Sequence, residues 1–357
     1  MSFDNLSKEV DDGIAGRNNG VPMGFDRLNR YVGIRKRMYF LIGGNTGSGK
    51  TSLLDNCFVL NPYNWMISPE NTKGIKIRWI YRSMERSTIY KEAKWVIGKI
   101  FLDHGIIISI GKLLGWQGFE KLTKDEHDLF LMQRDYLGGL RASIDIIEGP
   151  ENPIGVAKEM RAFAESRGKI EKIDKWGNEV YIPNDEKEIV ITLLDTFNLL
   201  KLTKVLNTKK AVIDKMSDEF RYARDLFGWV LAGVSQFNRS ISNPIRIKQG
   251  DVEPNLEDFK ESGQTQDDAD VVLALFDPIR YKVEDPSGYN LDKLKDENGG
   301  KYFRSLRLIK NSYGEDDVRI GLAFLGQLGM FKELPRRRDI MDDDYESVVN
   351  KTYFFNK

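Results

Sequence analysis

Short apolar runs alternate with helical patterns along most of the chain. The runs Arg37–Gly43, Lys76–Tyr81, Ser143–Glu148, Ile189–Leu194, Trp229–Val234, Val271–Phe276, Ser305–Ile309 and Arg319–Phe324 predict strands. The first six are rich in Ile, Val, Leu, Tyr and Trp with little polar alternation, the pattern of strands covered on both faces. Between them, Ile89, Ala93, Val96, Ile97 and Ile100 recur with the helical period of about 3.6 residues. Thr123 with Glu126 reads as a capping box opening a helix through Leu129, Met132 and Tyr136. Val156, Met160 and Phe163 form a stripe stopped by Gly168; Ile213, Met216, Phe220 and Ala223 form one stopped by Gly228. Such alternation predicts an α/β fold, with a mainly parallel twisted sheet flanked by helices.

Three polar segments interrupt this pattern without a core pattern of their own: Lys169–Glu186, a hairpin turning at Gly177-Asn178; Ser240–Asn255, a loop; and Lys282–Lys301. They read as insertions in one large domain. The predicted organisation is an arm over 1–20, one domain over 21–334 and a tail over 335–357. Composition narrows the classes. In 357 residues, Lys plus Arg and Asp plus Glu each total 54, so nucleic-acid contact requires a local basic patch rather than a polybasic surface. A single cysteine, Cys57, excludes an intrachain disulfide framework and a thiolate zinc cluster, and reads as a small core residue. No apolar run reaches the roughly 18–20 residues of a membrane span, and Met1–Gly20 is polar and acidic rather than a signal peptide. A soluble protein of a reducing compartment is expected.

The sharpest chemical signal is Gly44-Asn45-Thr46-Gly47-Ser48-Gly49-Lys50-Thr51, which fits the phosphate-loop pattern G-x-x-x-x-G-K-[ST]. Its glycines let consecutive backbone N–H groups turn inward around phosphate oxygens. The following helix, running on through Ser52, adds its N-terminal dipole. Lys50 reaches the β and γ phosphates, and the Thr51 hydroxyl binds Mg²⁺. The context fits, because a strand ending at Gly43 precedes the loop.

Three strand ends supply the rest of a hydrolysis site. Asp195 closes the run Ile189–Leu194, where a metal-holding acid belongs, or a turn or N-cap Asp. Glu85 follows the second strand and reads as the base that deprotonates attacking water, or as a solvated loop acid. Ser235-Gln236 follows the run Trp229–Val234, with Gln236 a γ-phosphate sensor, or the pair a helix cap.

With these residues in hand, the chain resembles the RecA-like P-loop NTPase motor domain of DnaB-type replicative helicases. Met23-Gly24-Phe25-Asp26-Arg27-Leu28-Asn29 is similar to that family's opening segment, and Ser83-Met84-Glu85-Arg86-Ser87 to its glutamate motif. Leu122–Glu126, Ile144–Ile147 and the helix Val156–Gly168 follow the family's order. Asp195-Thr196-Phe197-Asn198-Leu199 resembles its "DYLQL", Ser235-Gln236-Phe237-Asn238-Arg239 its "SQLNR", Leu256–Gly263 its "LSDLRESG" and Gln266–Asp270 its "EQDAD". The likeness runs in order from Gly24 to about Phe331.

The resemblance implies a ring, usually a hexamer, with ATP and Mg²⁺ between subunits and single-stranded DNA through the centre. Two loops would face the DNA: one carrying Lys201, Lys204, Lys209 and Lys210, the other Arg246 and Lys248, unless these are ordinary surface charges. It also implies that Lys310 reaches the neighbouring subunit's nucleotide. Two departures stand out. The family's primase-binding collar has no counterpart in the roughly twenty residues before the motor, which read as an arm docking on a neighbour or as a disordered tail. In the family's K-x-R-x-G pattern, the arginine position holds Ser312, leaving Arg319, Arg307 or a partner to supply a guanidinium. The tail, with Arg336–Arg338, Asp342–Asp344 and Tyr353-Phe354-Phe355, reads as a plain extension or a docking segment. The expected function is an ATP-dependent replicative helicase of a bacterial or phage-infected cytoplasm, with a primase or loader as partner. The alternatives are a DNA-binding ATPase that mediates recombination or loading, and a nucleotide-binding assembly subunit.

Overall fold

Strand-forming residues here are buried on both sides, and the sheet they build is the spine of the molecule. In chain order the strands are β1 (Met38–Gly44), β2 (Lys76–Ser83), β3 (Ile144–Glu148), β4 (Gly168–Lys172), β5 (Glu179–Pro183), β6 (Glu188–Asp195), β7 (Val230–Gln236), β8 (Val271–Phe276), β9 (Phe303–Asn311), β10 (Val318–Leu325) and β11 (Met330–Glu333). In this computed structural model the described residues are 3–355 apart from 16, 17, 19, 175, 176, 250, 251, 260–262 and 286. Among them, one sheet runs β11-β10-β9-β8-β1-β7-β6-β2-β3, and β4 pairs with β5 in a separate hairpin. The six strands from β8 to β3 are mutually parallel. β9, β10 and β11 extend the sheet antiparallel.

Alternation assigns side chains to two cores. Phe40 and Ile42 of β1, Ile191 and Leu193 of β6, and Leu273 of β8 point to one face. Tyr39, Leu41, Val190, Leu194 and Val272 point to the other. The first face is covered by the chain after the phosphate loop: a helix Lys50–Asp55, a π-helical turn Asn56–Leu60 and a helix Asn61–Met66. Pro62 lacks the N–H that an unbroken α-helix would need there, and the widened turn just before it takes up the mismatch. Cys57 is fully buried in this layer, as its small apolar character predicts. The second face is covered by the helices Pro153–Arg167 and Lys209–Phe227. No helix among the described residues is long and apolar enough to cross a membrane.

All eight predicted strands are present, and the differences lie where pattern alone is ambiguous. The helix opened by the Thr123/Glu126 capping box ends at Met132, which is 66% exposed, and a second helix, Arg134–Arg141, carries Tyr136 against Tyr63. In the helix Thr88–His104, Ile89 faces solvent whereas Lys91 is buried. Gly168 ends its helix in extended rather than left-handed backbone, because the chain passes directly into β4. The predicted loop 240–255 contains the helix Pro244–Gln249. β11 escaped prediction, being four residues long. The arm forms a helix, Phe3–Ile14, with Phe3, Leu6, Val10 and Ile14 exposed. The tail folds back as the helix Asp342–Val349, with Tyr345, Val348 and Phe354 buried in a cluster that includes Phe101.

Truncating a side chain at the centre of the sheet tests this packing. Leu273→Ala, at a site of zero exposure in β8, is expected to lower unfolding free energy by about 2–5 kcal/mol. Urea denaturation followed by circular dichroism reads it, and a loss below about 1 kcal/mol contradicts close packing there.

Candidate active site

Parallel pairing brings four strand ends to one edge of the sheet, the edge where open α/β folds bind ligands. The register sets Gly44 beside Gln236 and Ser83 beside Asp195. The backbone N–H of Met84 donates to the Asp195 carbonyl at 2.9 Å, bringing the Glu85 turn against the end of β6. A cavity of about 970 Å³ opens there, lined by the phosphate loop, Glu85, Asp195 and Gln236.

The loop's shape depends on its glycines. Gly47 and Gly49 have φ of +79° and +102°, the left-handed region that glycine occupies without strain. A Cβ on Gly49 would lie 2.9 Å from Phe324 Cζ, and one on Gly44 would lie 2.7 Å from Ser48 Oγ. No side chain caps the following helix at Gly49, so its N-terminus is suited to an anion. Several groups brace the loop from outside. Gln236 Nε2 donates to Thr46 Oγ1 at 2.7 Å, and Arg304 Nε donates to the Ser48 carbonyl at 2.8 Å. The Arg280 guanidinium donates to the Thr46 carbonyl, and the Asn45 amide to the Tyr281 hydroxyl.

Charge is concentrated at the loop's end. Lys50 Nζ donates to the Asn45 carbonyl at 2.8 Å. Burial pulls its pKa down to about 8, against the opposing attraction of Asp195 and Glu85. Asp195 has zero exposure, and burial raises its pKa, with Lys91 as the largest counter-influence. Its Oδ1 accepts the Thr51 hydroxyl at 3.0 Å, while its buried Oδ2 accepts no hydrogen bond. A hydroxyl and a carboxylate with an unpartnered oxygen are hard donors that fit Mg²⁺ when phosphate oxygens complete its shell. Among the described residues, no group of three or more His, Cys, Asp or Glu makes a protein-only metal cage.

Thr46, Gly47, Gly49, Lys50, Thr51 and Ser52 line the cavity with Glu85, Asp195 and Gln236, and Gly44, Asn45 and Ser48 complete the turn. Lys310 is not among the lining residues; its ammonium donates to the Gln266 and Asp267 carbonyls at 2.9 Å each. The candidate arginines are engaged as well, Arg319 with Glu253 and Arg307 with Asp317. Lys201 and Lys204 are exposed after β6, and Lys248 is exposed on the helix Pro244–Gln249. Lys209 and Lys210 lie on the first turn of a helix rather than in the loop. Lys209 bonds back to the Asn198 and Leu200 carbonyls, and Lys210 pairs with Asp214. Arg246 is held by Asp258. Lys260, Glu261 and Ser262 of the Leu256–Gly263 motif lie outside the described residues, as does Gly250 in the second loop.

Sequence reading missed Arg280 and Arg304, which reach the loop from more than 230 positions away. It also missed Gly299, Gly300 and Lys301, which belong to a segment read as an insertion yet form part of the cavity wall. Lys91, another lining residue, looked like a polar position on a helix.

Comparison with known proteins agrees with this site. Residues 168–333 match the family of the DnaB-like helicase C terminal domain. The chain is 26% identical over 283 residues to a replicative DNA helicase DnaB of Helicobacter pylori, covering 78% of this chain and 48% of that protein. Against the DnaB of a second H. pylori strain it is 25% identical over 297 residues, covering 82% and 51%. The chain therefore spans about half the length of the curated relatives it matches. Among solved structures, an isolated ATPase domain superposes with a TM-score of 0.66 at 20% identity, covering 94% of this chain and 99% of that one. A DnaB-like replicative helicase, solved in a study of its interactions with primase, gives 0.65 at 19% identity, covering 94% and 68%. These likenesses bear out the RecA-like α/β fold.

The depressed Lys50 pKa carries a pH prediction. The ammonium is charged below about pH 8 and attracts phosphate; above that it is neutral in the free protein. Affinity for a fluorescent nucleoside triphosphate is expected to hold steady from about pH 6.5 to 7.5. It should then fall by up to about tenfold per unit above pH 8. A constant affinity up to about pH 9.5 contradicts the assignment of Lys50 to the phosphates.

Proposed function

The chain is related to the DnaB-type replicative helicases through its motor domain, and from that premise we propose that it is an ATP-driven DNA helicase. It forms a ring, moves along single-stranded DNA and unwinds duplex by excluding the other strand. The observation that carries this reading is the meeting of Lys50, Thr51, Glu85, Asp195 and Gln236 around one cavity at the carboxyl edge of the sheet.

In this reading the loop N–H groups and Lys50 hold the β and γ phosphates of ATP. Magnesium held by Thr51 and Asp195 supplies charge neutralisation at the phosphates. Glu85, exposed at the cavity wall, accepts a proton from the water whose oxygen attacks the γ-phosphorus, and ADP leaves in line. Gln236 reports the γ-phosphate: its amide already holds the Thr46 hydroxyl, so a change at the loop is felt at the end of β7. Lys310 faces the neighbouring subunit's nucleotide. Lys201, Lys204 and Lys248 carry the DNA contact, because Lys209, Lys210 and Arg246 are committed to other partners. Assembly as a homohexamer in the cytoplasm, with a primase or loader as partner, completes the proposal.

A second reading, an ATPase that binds DNA without unwinding it, is favoured by one feature: the finger position holds Ser312, and Lys310 is occupied by two carbonyls. A lone ammonium lacks the guanidinium's bidentate fork. Strand displacement on a forked duplex separates the two. The helicase reading expects ATP-dependent release of one strand, whereas ATP turnover and DNA binding without release support the second reading. Within either, Glu85→Gln is expected to cut turnover by about 10²–10⁴-fold with nucleotide affinity unchanged. Undiminished turnover removes Glu85 from the role of base.

A further inference from the structure

One buried cation beside this site is used by none of the steps above. Lys91, on the helix Thr88–His104, is 2% exposed and sits between Asp55 and Asp195, both also buried. Its Nζ lies 3.5 Å from Asp55 Oδ1 and 3.5 Å from Asp195 Oδ2, and donates to the Tyr81 hydroxyl at 2.5 Å. The two carboxylates are not equally dependent on it. Asp55 is already satisfied on both oxygens, by the Tyr81 hydroxyl at 2.7 Å and by Trp95 Nε1 at 3.1 Å. Asp195 has the Thr51 hydroxyl on Oδ1 alone, and its Oδ2 receives no hydrogen bond, only the nearby ammonium charge.

A carboxylate oxygen that is buried, unbonded and faced by a positive charge is poised to take a cation from the cavity side. The ammonium opposes that exchange, since a dication on Asp195 would stand within a few ångströms of Lys91 at low local dielectric. Because no protein-only cage completes a metal's shell among the described residues, the missing ligands must come from the nucleotide. We propose that Lys91 is a positioning residue that holds Asp195 in the nucleotide-free protein and keeps divalent metal off it until phosphate oxygens arrive, so that metal and nucleotide enter together. This rests on the reading of Asp195 as the metal-side acid.

The test is direct Mn²⁺ binding, followed by the loss of free-ion electron paramagnetic resonance signal, with and without ADP. Wild-type protein is expected to bind Mn²⁺ weakly alone and tightly with ADP. Lys91→Met is expected to bind Mn²⁺ alone at least about tenfold more tightly, with little change when ADP is present. The double variant Lys91→Met/Asp55→Asn removes the partner that the single change leaves bare. It carries the test if the single variant does not fold, and it is expected to keep the gain. Equal affinity of folded Lys91→Met and wild type overturns the proposal. So does a gain that vanishes in the double variant, which would place the extra metal on Asp55. Asp195→Asn separates the two levels: unchanged Mn²⁺ binding with ADP in that variant removes Asp195 from the metal site itself, and with it the premise.

Discussion

A sheet buried on both faces has no room for an unpaired charge along its strands, so charged chemistry is pushed to the strand ends. That constraint organises this protein. β1, β6 and β7 are apolar or small until their last residues, and only there do Gly44, Asp195 and Gln236 appear. The hydrogen bond from Thr51 to Asp195 ties the helix after β1 to the end of β6. It fixes the spacing across which a phosphate chain and its counter-ion must fit. Everything else in the site braces this span: Gln236 and Arg280 on Thr46, Arg304 on Ser48, Lys91 behind Asp195.

What was legible in the sequence follows from range. The phosphate loop is a local device, and its left-handed glycines, its helix and its lysine all lie within eight positions. Strand ends were legible because apolar runs stop abruptly at Asp195 and Gln236. The pairing of those ends is a consequence of parallel order, which strand–helix alternation already implies. Arg280 and Arg304 were not legible, since nothing near them in the chain marks which of many basic residues turns back to the loop. Lys91 was hidden by period: the stripe through Ile89 pointed to one face, but the helix is buried over a wider arc that includes Lys91 and Trp95 and leaves Ile89 outside. The tail misled in the same manner, because its aromatic end has no periodic pattern and acquires meaning only against Phe101.

The basic residues expected at DNA divide once their partners are known. A lysine held by two backbone carbonyls, or an arginine clasped by a buried aspartate, must give up those bonds before it neutralises a phosphate. Lys201, Lys204 and Lys248 keep exposed side chains and avoid that cost. The same reasoning bears on the missing arginine. Arg319 and Arg307 are both tied to acids around Glu253 and Asp317, so either would have to be released to act on a neighbour's nucleotide.

The central claim is that this edge of the sheet hydrolyses ATP when the chain engages DNA. The most direct measurement is steady-state ATP hydrolysis at micromolar protein, with and without single-stranded DNA, beside Lys50→Ala. Turnover that rises with DNA and disappears in Lys50→Ala is the predicted result. Nucleotide binding without turnover in either condition contradicts the claim, and would leave the cavity as a nucleotide-holding element of a larger assembly.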